Sequence, residues 1–388
     1  MQRKFSYNNT SAKKRILILL PGMNLRPSGG YKVIFEIAQR LNEIGFFTEI
    51  HFLKSASLIR MESKDISLHD AIYILIEFCF NVCFGSRYGS YLLSALKKVL
   101  GIPSLESIQK LPVSYSLRHL FDDRFDIIIV TNYLTALYIN QLNPSERRII
   151  NFIQQEDDSP YNNKKFSQLA HKSYYLNYKK IVINNQMAKR YLSDLSDEER
   201  ILSKVKIGID HNLYKMRVPL NMRNAKTVLF QLKTGTNKGL DLALEIIDRL
   251  KEKVPDVIIS SFGTRSIPLP SFVNHFGTVS TSRLVELYNS NSIFVLPSRI
   301  EGFPRPALEA AACGCLVASF DNGGTGDWIE DDYNGILVRN FDIHSMVLKL
   351  TKIISNPEKL QSMVTYSLFS TREYTNEKMF ESFLKAIE

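Results

Sequence analysis

Short apolar runs alternate with amphipathic segments along both halves of the chain, and this alternation restricts the fold more than any other feature. Residues 15–20 and 47–52 are predicted strands, and the segment between them, Tyr31 to Ile44, shows a helical stripe that ends at Gly45. The same pattern starts again near Thr227. Such alternation is typical of a parallel sheet with helices on both faces. The sequence therefore predicts an α/β fold.

The length of the chain predicts two domains. At 388 residues it exceeds one ordinary core, and two domains of about 180 residues each are expected. A polar, proline-containing stretch at 217–226 marks the boundary. We predict doubly wound, Rossmann-like domains at 1–215 and 216–370, facing each other across a cleft, and a C-terminal helix at 371–388 that packs back towards the first domain. Further strands are predicted at 126–130, 148–153, 181–183, 205–209, 227–232, 257–262, 274–276, 293–296, 315–319 and 336–338, and further helices from 134 and at 186–195, 241–253, 282–289, 307–313 and 342–354.

Charge and hydropathy indicate the partner classes. The net charge of +10 favours anionic partners such as a nucleotide or phospholipid head groups. No nucleic-acid partner is expected, since no binding motif or zinc spacing accompanies the charge. The longest apolar stretch, 71–84, contains Glu77 and is shorter than the about 18 to 20 residues that span a bilayer. Cys79, Cys83, Cys313 and Cys315 lack further ligands at metal spacing and are expected to be free buried thiols in a reducing compartment.

The segment 60–122 leaves two interpretations open. It is aromatic and basic, with Phe78, Phe80, Arg87, Tyr88 and Lys97 among its residues. It is either an irregular insertion packed into the first domain or an amphipathic surface that contacts a membrane.

The stretch from Ser298 to Gly314 places Glu301 just after an apolar strand and Glu309 in the first turns of a helix that begins near Pro306. A strand, a loop and a helix N-terminus in this order form an anion-binding corner. A carboxylate at each edge suits a phosphate ligand that carries sugar hydroxyls. Taken singly, both residues are equally compatible with surface acids that face a helix dipole.

A second loop carries two cations. Lys233 and Lys238 lie five residues apart across Gly235, between a strand and a helix. Two ammonium groups in this position can flank a diphosphate, although the spacing is not that of a P-loop. On its own this pattern also describes a solvated lysine pair.

Together these motifs resemble the retaining nucleotide-sugar glycosyltransferases of family four. The resemblance covers nearly the whole chain, strongest over 227–338 and poor over 53–125. It rests on the S-x-x-E-G-F-x-x-x-x-L-E-A-x-A-x-G pattern at 298–314, the lysine loop at 233–239, Gly323-Gly324, Gly29-Gly30 and Gly208-Ile-Asp210. It implies the two-domain GT-B fold, with an acceptor-binding N-terminal domain and a nucleotide-sugar-binding C-terminal domain.

The resemblance also implies roles for the matching residues. Lys233 and Lys238 are expected at the donor diphosphate and Glu309 at the ribose hydroxyls. Glu301 and the backbone N–H groups of Gly302 and Phe303 are expected at the donor sugar. The base is expected near Gly277 and Thr278, while Gly29 and Gly30 let the first domain approach the phosphates.

Three departures from the family pattern concern the site. Lys233 stands where the family usually has arginine and gives up bidentate phosphate binding. Arg305, between two prolines, is either a donor contact or an exposed arginine. The histidine often seen in the N-terminal domain has no counterpart; Gln154, Glu156 and Asp157 are the acceptor-side candidates instead, or else they form a solvated acidic loop.

The predicted function is retaining transfer of a hexose or deoxyhexose from a nucleotide-diphosphate sugar to a saccharide acceptor, lipid-linked, in bacterial surface polysaccharide (O-antigen or capsule) synthesis. Glu301, Lys238, Glu156 and Asp157 are the candidate catalytic residues. No metal and no cofactor are expected. The expected location is the cytoplasm, with peripheral contact at the inner face of the plasma membrane. The alternatives are a nucleotide-sugar epimerase of GT-B type and a non-catalytic nucleotide-sugar-binding partner.

Overall fold

The protein is known from a computed structural model that describes residues 14–21, 29–52, 113–114, 125–142, 148–158, 164–193, 201–264 and 268–388. Almost all of the segment 60–122, with Cys79 and Cys83, lies outside these ranges. The predicted fold class is confirmed: the chain forms two α/β domains whose strands all pair in parallel.

The first domain is built on a sheet of seven described strands in the order β3-β2-β1-β4-β5-β6-β7. The strands are β1 (Arg15–Leu20), β2 (Phe47–Phe52), β3 (Val113–Ser114), β4 (Ile127–Val130), β5 (Arg148–Ile153), β6 (Lys179–Val182) and β7 (Ile201–Lys204). The helices are α1 (Gly29–Glu43), α2 (Tyr133–Leu142), α3 (Lys164–Tyr174) and α4 (Asn185–Ser193). Strands β1 and β4 read as unbroken apolar runs because both of their faces are covered.

The second domain repeats this architecture with six strands in the order β10-β9-β8-β11-β12-β13. The strands are β8 (Thr227–Leu232), β9 (Ile258–Gly263), β10 (Val273–His275), β11 (Ile293–Leu296), β12 (Leu316–Phe320) and β13 (Ile336–Val338). The helices are α5 (Leu240–Lys253), α6 (Thr281–Ser290), α7 (Arg305–Ala312), α8 (Ile343–Ile354) and α9 (Pro357–Thr371). In both sheets the strand order reverses beside the first strand, and ligands of such sheets bind beyond the carboxyl ends at this point.

The chain passes between the domains twice. After β7 it enters the second domain, and after α9 it returns, so that the last helix, α10 (Asn376–Ile387), buries Met379 and Phe383 in the core of the first domain. The two crossing segments are bonded to each other: Ile209 N–H donates to Tyr374 O at 3.0 Å, and Asn376 N–H donates to Ile209 O at 3.3 Å. A Cβ on Gly208 would lie 2.2 Å from the carbonyl oxygen of Thr375, so only glycine allows this spacing.

The structure differs from the prediction at one strand and at two helices. The strand predicted at 205–209 is wrong: β7 ends at Lys204, and the apolar residues after it cross between the domains, with Ile207 buried in the first core and Ile209 in the second domain. Helices α3 and α9 were not predicted: α3 contains few apolar residues, and polar residues interrupt the apolar stripe of α9. No helix within the described ranges is long and apolar enough to cross a membrane.

Candidate active site

A cleft of about 400 Å³ lies between the two domains and is lined by both. Its first wall comes from segments that follow β1, β4 and β5, together with the start of α1. Its second wall comes from the segments that follow β8 and β11 and from the start of α7. The carboxyl ends of both sheets therefore face the same space, as the fold class predicts.

The second wall carries the lysine pair. Lys238 Nζ lies 2.8 Å from Glu301 Oε1, and both side chains are only partly exposed. Lys233 follows β8 directly and also lines the cleft. Partial loss of hydration, followed by the nearby positive charge of Lys238, lowers the pKa of Lys233 below its usual range. Two crowded cations of this kind gain from an anionic ligand.

The loop from Glu301 to Phe303 is bonded to the segment that follows β12. Glu301 N–H donates to Asn322 O at 3.0 Å, and Glu301 forms a parallel bridge with Gly323. Within the part of the chain that the structure describes, the N–H groups of Gly302 and Phe303 have no protein acceptor. Both residues line the cleft, so these donors are candidates for contact with a ligand.

Helix α7 brings an arginine and a glutamate to the domain boundary. Arg305 is 9% exposed, and its guanidinium lies 3.3 Å from the Glu36 carboxylate on α1 of the first domain. Its Nε lies 4.0 Å from Glu309 Oε1. Burial raises the pKa of Glu309, while the charges of Arg305 and Lys32 and a hydrogen bond from Tyr214 act in the opposite direction. Arg305 is thus not a solvated surface arginine but an interdomain contact.

The first wall is lined by amides, phenols and one carboxylate. Asp157 accepts hydrogen bonds from Asn132 Nδ2 at 2.8 Å and from Gln155 Nε2 at 2.6 Å, and its backbone N–H donates to the Tyr174 hydroxyl at 2.8 Å. Burial outweighs these donors and raises the pKa of Asp157 to about 6. A carboxyl group with such a pKa can exchange a proton near neutral pH.

The Glu156 side chain lies outside the cleft lining, in a cluster with Asp158 and Arg190. Its Oε2 lies 3.4 Å from Arg190 Nη1 and 3.4 Å from Gln186 Nε2, and Arg190 also binds Asp158 at 2.5 Å. Burial raises the pKa of Glu156 as well. The residue therefore supports the wall from behind.

The contact between the walls is dense around Gly302. Asn184, at the start of α4 in the first domain, donates from Nδ2 to Gly302 O at 2.7 Å. A Cβ on Gly302 would lie 1.8 Å from the backbone oxygen of Gln154. Nearby, Asp327 accepts from Asn185 N–H at 3.0 and 3.1 Å and lies 3.4 Å from Lys204. The first domain thus contacts the loop from Glu301 to Phe303 of the second domain.

Most of the residues that the sequence predicts for the site lie together. The cleft is lined by Gly29, Gly30, Gln154, Asp157, Lys233, Lys238, Glu301, Gly302, Phe303 and Arg305. Four others are not among its lining residues, namely Glu156, Gly277, Thr278 and Glu309. Gly277 and Thr278 pair with Gly263 at the end of β9. Glu309 is buried behind Arg305.

Sequence reasoning missed several polar residues of the site. They are Asn132, Tyr133, Tyr174, Asn184, Lys32 and Glu36. For Lys32 and Glu36 a signal existed, because they lie four residues apart on the predicted helix that follows Gly29-Gly30. Asn132 and Asn184 each stand just after a predicted strand, which is where ligand-facing residues of this fold occur.

Residues 215–368 match the family described as Glycosyl transferases group 1. An uncharacterised glycosyltransferase of Haemophilus influenzae is 29% identical over 168 residues, which are 40% of this chain and 47% of the relative. An N,N'-diacetylbacillosaminyl-diphospho-undecaprenol alpha-1,3-N-acetylgalactosaminyltransferase of Campylobacter jejuni is 25% identical over 172 residues, 43% of this chain and 45% of the relative. The chain spans about half the length of these curated relatives.

The likeness in three dimensions extends over both domains. HepE of Anabaena, whose structure was solved in complex with UDP and glucose, superposes with a TM-score of 0.69 at 15% identity, covering 96% of this chain and 99% of HepE. At this level of identity the likeness shows the fold. Residues 215–368 therefore match the group 1 glycosyltransferase family, and the chain as a whole has the GT-B fold.

Proposed function

We propose that this protein is a retaining glycosyltransferase of family four that moves a hexose or deoxyhexose from a nucleotide-diphosphate sugar to a saccharide acceptor. The observation that carries the proposal is the composition of the cleft. One wall holds Lys233, Lys238 and free backbone donors, and the opposite wall holds hydroxyl-binding amides and Asp157. A ligand with a diphosphate at one end and sugar hydroxyls at the other matches this division.

The donor side supplies charge stabilisation. When the bond between the sugar carbon and the phosphate oxygen breaks, negative charge develops on the leaving diphosphate, and the two ammonium groups with the N-terminus of α7 stabilise it. Lys238 is bound to Glu301 here, so we expect the diphosphate to compete for this ammonium. Glu301 with Gly302 and Phe303 is then proposed to hold the sugar. Arg305, together with Glu309 buried behind it, is proposed for the ribose end, and Gly277 and Thr278, outside the cleft lining, are proposed for the base. The proposal needs no metal, because the lysines supply the positive charge.

The acceptor side supplies orientation and a proton acceptor. Gln154 and Asp157 are proposed to bind the attacking hydroxyl, with Glu156 supporting them from behind. In a retaining reaction without an enzyme nucleophile, the leaving phosphate helps to remove the proton of that hydroxyl. Asp157, whose pKa is about 6, is the group best placed to assist.

The acceptor and the cellular setting extend the same proposal. The named Campylobacter relative acts on a diphospho-undecaprenol saccharide, which supports a lipid-linked acceptor and a role in surface polysaccharide synthesis. The +10 charge supports peripheral contact between a cytoplasmic protein and anionic lipid. Co-sedimentation with vesicles of anionic and of neutral lipid tests this part, and equal binding to both would count against it.

A panel of nucleotide sugars tests the reaction. Thermal unfolding is measured with UDP-glucose, GDP-mannose and dTDP-rhamnose, since a bound donor raises the melting temperature by mass action. The best donor is then incubated with saccharide acceptors, with and without EDTA, and the anomer of the product is determined. We expect transfer with retention that EDTA does not reduce.

The same experiment separates the alternatives. An altered sugar nucleotide formed without acceptor would indicate an epimerase. Binding without turnover on any acceptor would indicate a non-catalytic binding partner. Failure of every donor to stabilise the protein would refute the proposed function altogether.

A further inference from the structure

We propose that Asn184, which belongs to the first domain, is a positioning residue that aims the Phe303 N–H of the second domain at the donor sugar. This inference rests on the proposed function. It gives the acceptor-binding domain a part in recognising the donor, and it predicts that the affinity for the sugar portion depends on a side chain outside the group 1 domain.

The Asn184 side chain is fixed at both ends. It is 2% exposed, its Oδ1 accepts the Met187 N–H at 2.7 Å as the cap of α4, and its Nδ2 donates to Gly302 O at 2.7 Å. Because the first contact requires an acceptor and the second a donor, the orientation of the amide is set by its partners. Both contacts are buried, where a lost partner is costly.

The consequence for Phe303 follows from the geometry of the peptide group. The C=O of Gly302 and the N–H of Phe303 belong to one planar trans unit, in which they point in opposite directions. A hydrogen bond that fixes Gly302 O therefore also fixes the direction of the Phe303 N–H. That N–H has no acceptor among the described residues, and Phe303 is one of the residues that line the cleft.

Neighbouring groups leave this peptide little freedom. Gly302 lies against the backbone oxygen of Gln154, and a Cβ on Gly324 would lie 2.5 Å from Gly302 O. The Phe303 side chain packs against the cores of both domains. Asn184 supplies the polar partner of the Gly302 carbonyl. Without its amide, packing alone would hold the peptide, and a small tilt of the Phe303 N–H would no longer cost a hydrogen bond.

The diphosphate contacts do not pass through Asn184. Lys233 and Lys238 lie on the loop after β8 and belong wholly to the second domain. Loss of the Asn184 amide should therefore weaken the binding of a nucleotide sugar but not that of the corresponding nucleoside diphosphate. This difference distinguishes positioning of the loop from Glu301 to Phe303 from a general effect on stability.

The test measures both affinities by calorimetry for wild type, Asn184→Ser and Asn184→Asp, with the best donor from the panel above and its nucleoside diphosphate. Serine keeps an oxygen that caps the helix, and aspartate keeps the shape but replaces the donor. We expect each variant to bind the nucleotide sugar about tenfold more weakly, the cost of one buried hydrogen bond, with the nucleoside diphosphate unchanged.

Asp327→Asn is the matched control. Asp327 binds the same end of α4 through the Asn185 N–H but does not touch Gly302. We expect this variant to change both affinities alike, through the domain contact. Equal losses for both ligands in the Asn184 variants, or no loss, would overturn the inference, with a folded state checked by thermal unfolding. A wild-type protein that binds no nucleotide sugar would instead refute the proposed function.

Discussion

The two walls of the cleft differ in chemistry and in the way they are built. The wall of the second domain contains cations and free backbone donors that come from two short loops. The wall of the first domain contains amides, phenols and a partly buried carboxylate from at least three separated segments. A diphosphate makes the same demand whatever sugar it carries, whereas an acceptor hydroxyl is recognised by a set of hydrogen bonds particular to one saccharide. The contrast suggests a general donor wall and a specialised acceptor wall.

The largest effect is expected on the donor wall. Lys238→Ala removes a cation from the proposed diphosphate site, and we expect turnover to fall by about a hundredfold to a thousandfold. Steady-state kinetics with the best donor measures this loss. Lys359→Ala is the control, since its ammonium binds Asp332 away from the cleft. Similar activity in both variants would break the proposed division between the walls.

A substitution at the contact between the walls should rank second. Gly302→Ala places a Cβ where the backbone oxygen of Gln154 lies, and neither backbone can yield without separation of the domains. We expect turnover, measured by steady-state kinetics, to fall by about tenfold to a hundredfold. Gly326→Ala is the comparison, because its added Cβ meets only the movable Asp321 side chain, 3.1 Å away.

The acceptor wall should reveal itself in the dependence on pH. Burial raises the pKa of Asp157 to about 6, so its carboxylate form, and with it the proposed assistance, is gained as the pH rises through that value. Wild-type turnover should therefore increase with a midpoint near pH 6. Asp157→Asn should be about tenfold slower at neutral pH and lack this acidic limb. An unchanged limb in the variant would assign it to another group.

The smallest effect is expected at the ion pair that joins the two walls. Glu36→Gln removes the carboxylate that faces Arg305 across the boundary. Because Glu36 is about one third exposed, the pair is screened, and we expect only a twofold to fivefold rise in the KM for the donor, at roughly constant kcat. The rise should disappear in high salt. A larger loss that salt does not affect would contradict the screened, minor role of this ion pair.

The difference between the walls also explains what the sequence revealed. The donor wall was predictable because its parts are local: Lys233 and Lys238 share one loop, and Glu301, Gly302, Phe303 and Arg305 share another. Strand–helix alternation was strong enough to predict both sheets. These signals need only the spacing along the chain, not knowledge of how distant segments meet.

The acceptor wall was predictable only in part. Gln154 and Asp157 follow a clear strand, but the hydrogen bond from Asn132 to Asp157 joins residues on separate strand ends. The inward direction of Asp157 and the outward direction of Glu156 depend on the path of the backbone after β5, which neighbouring residue types do not specify. The wrong strand at 205–209 has a related cause. In sequence, an apolar run that crosses between two domains looks like an apolar run that enters a sheet.

The paired crossings near Gly208 and Thr375 affect how the molecule can move. Two crossing segments bonded side by side act as a hinge with a single axis. The domains can rotate about it, but sliding or independent twisting would break the bonds of Ile209 to Tyr374 and Asn376. Any opening and closing of the cleft should thus follow one path in both directions. A rigid joint of this kind returns Asn184 to the same place over Gly302 at every cycle.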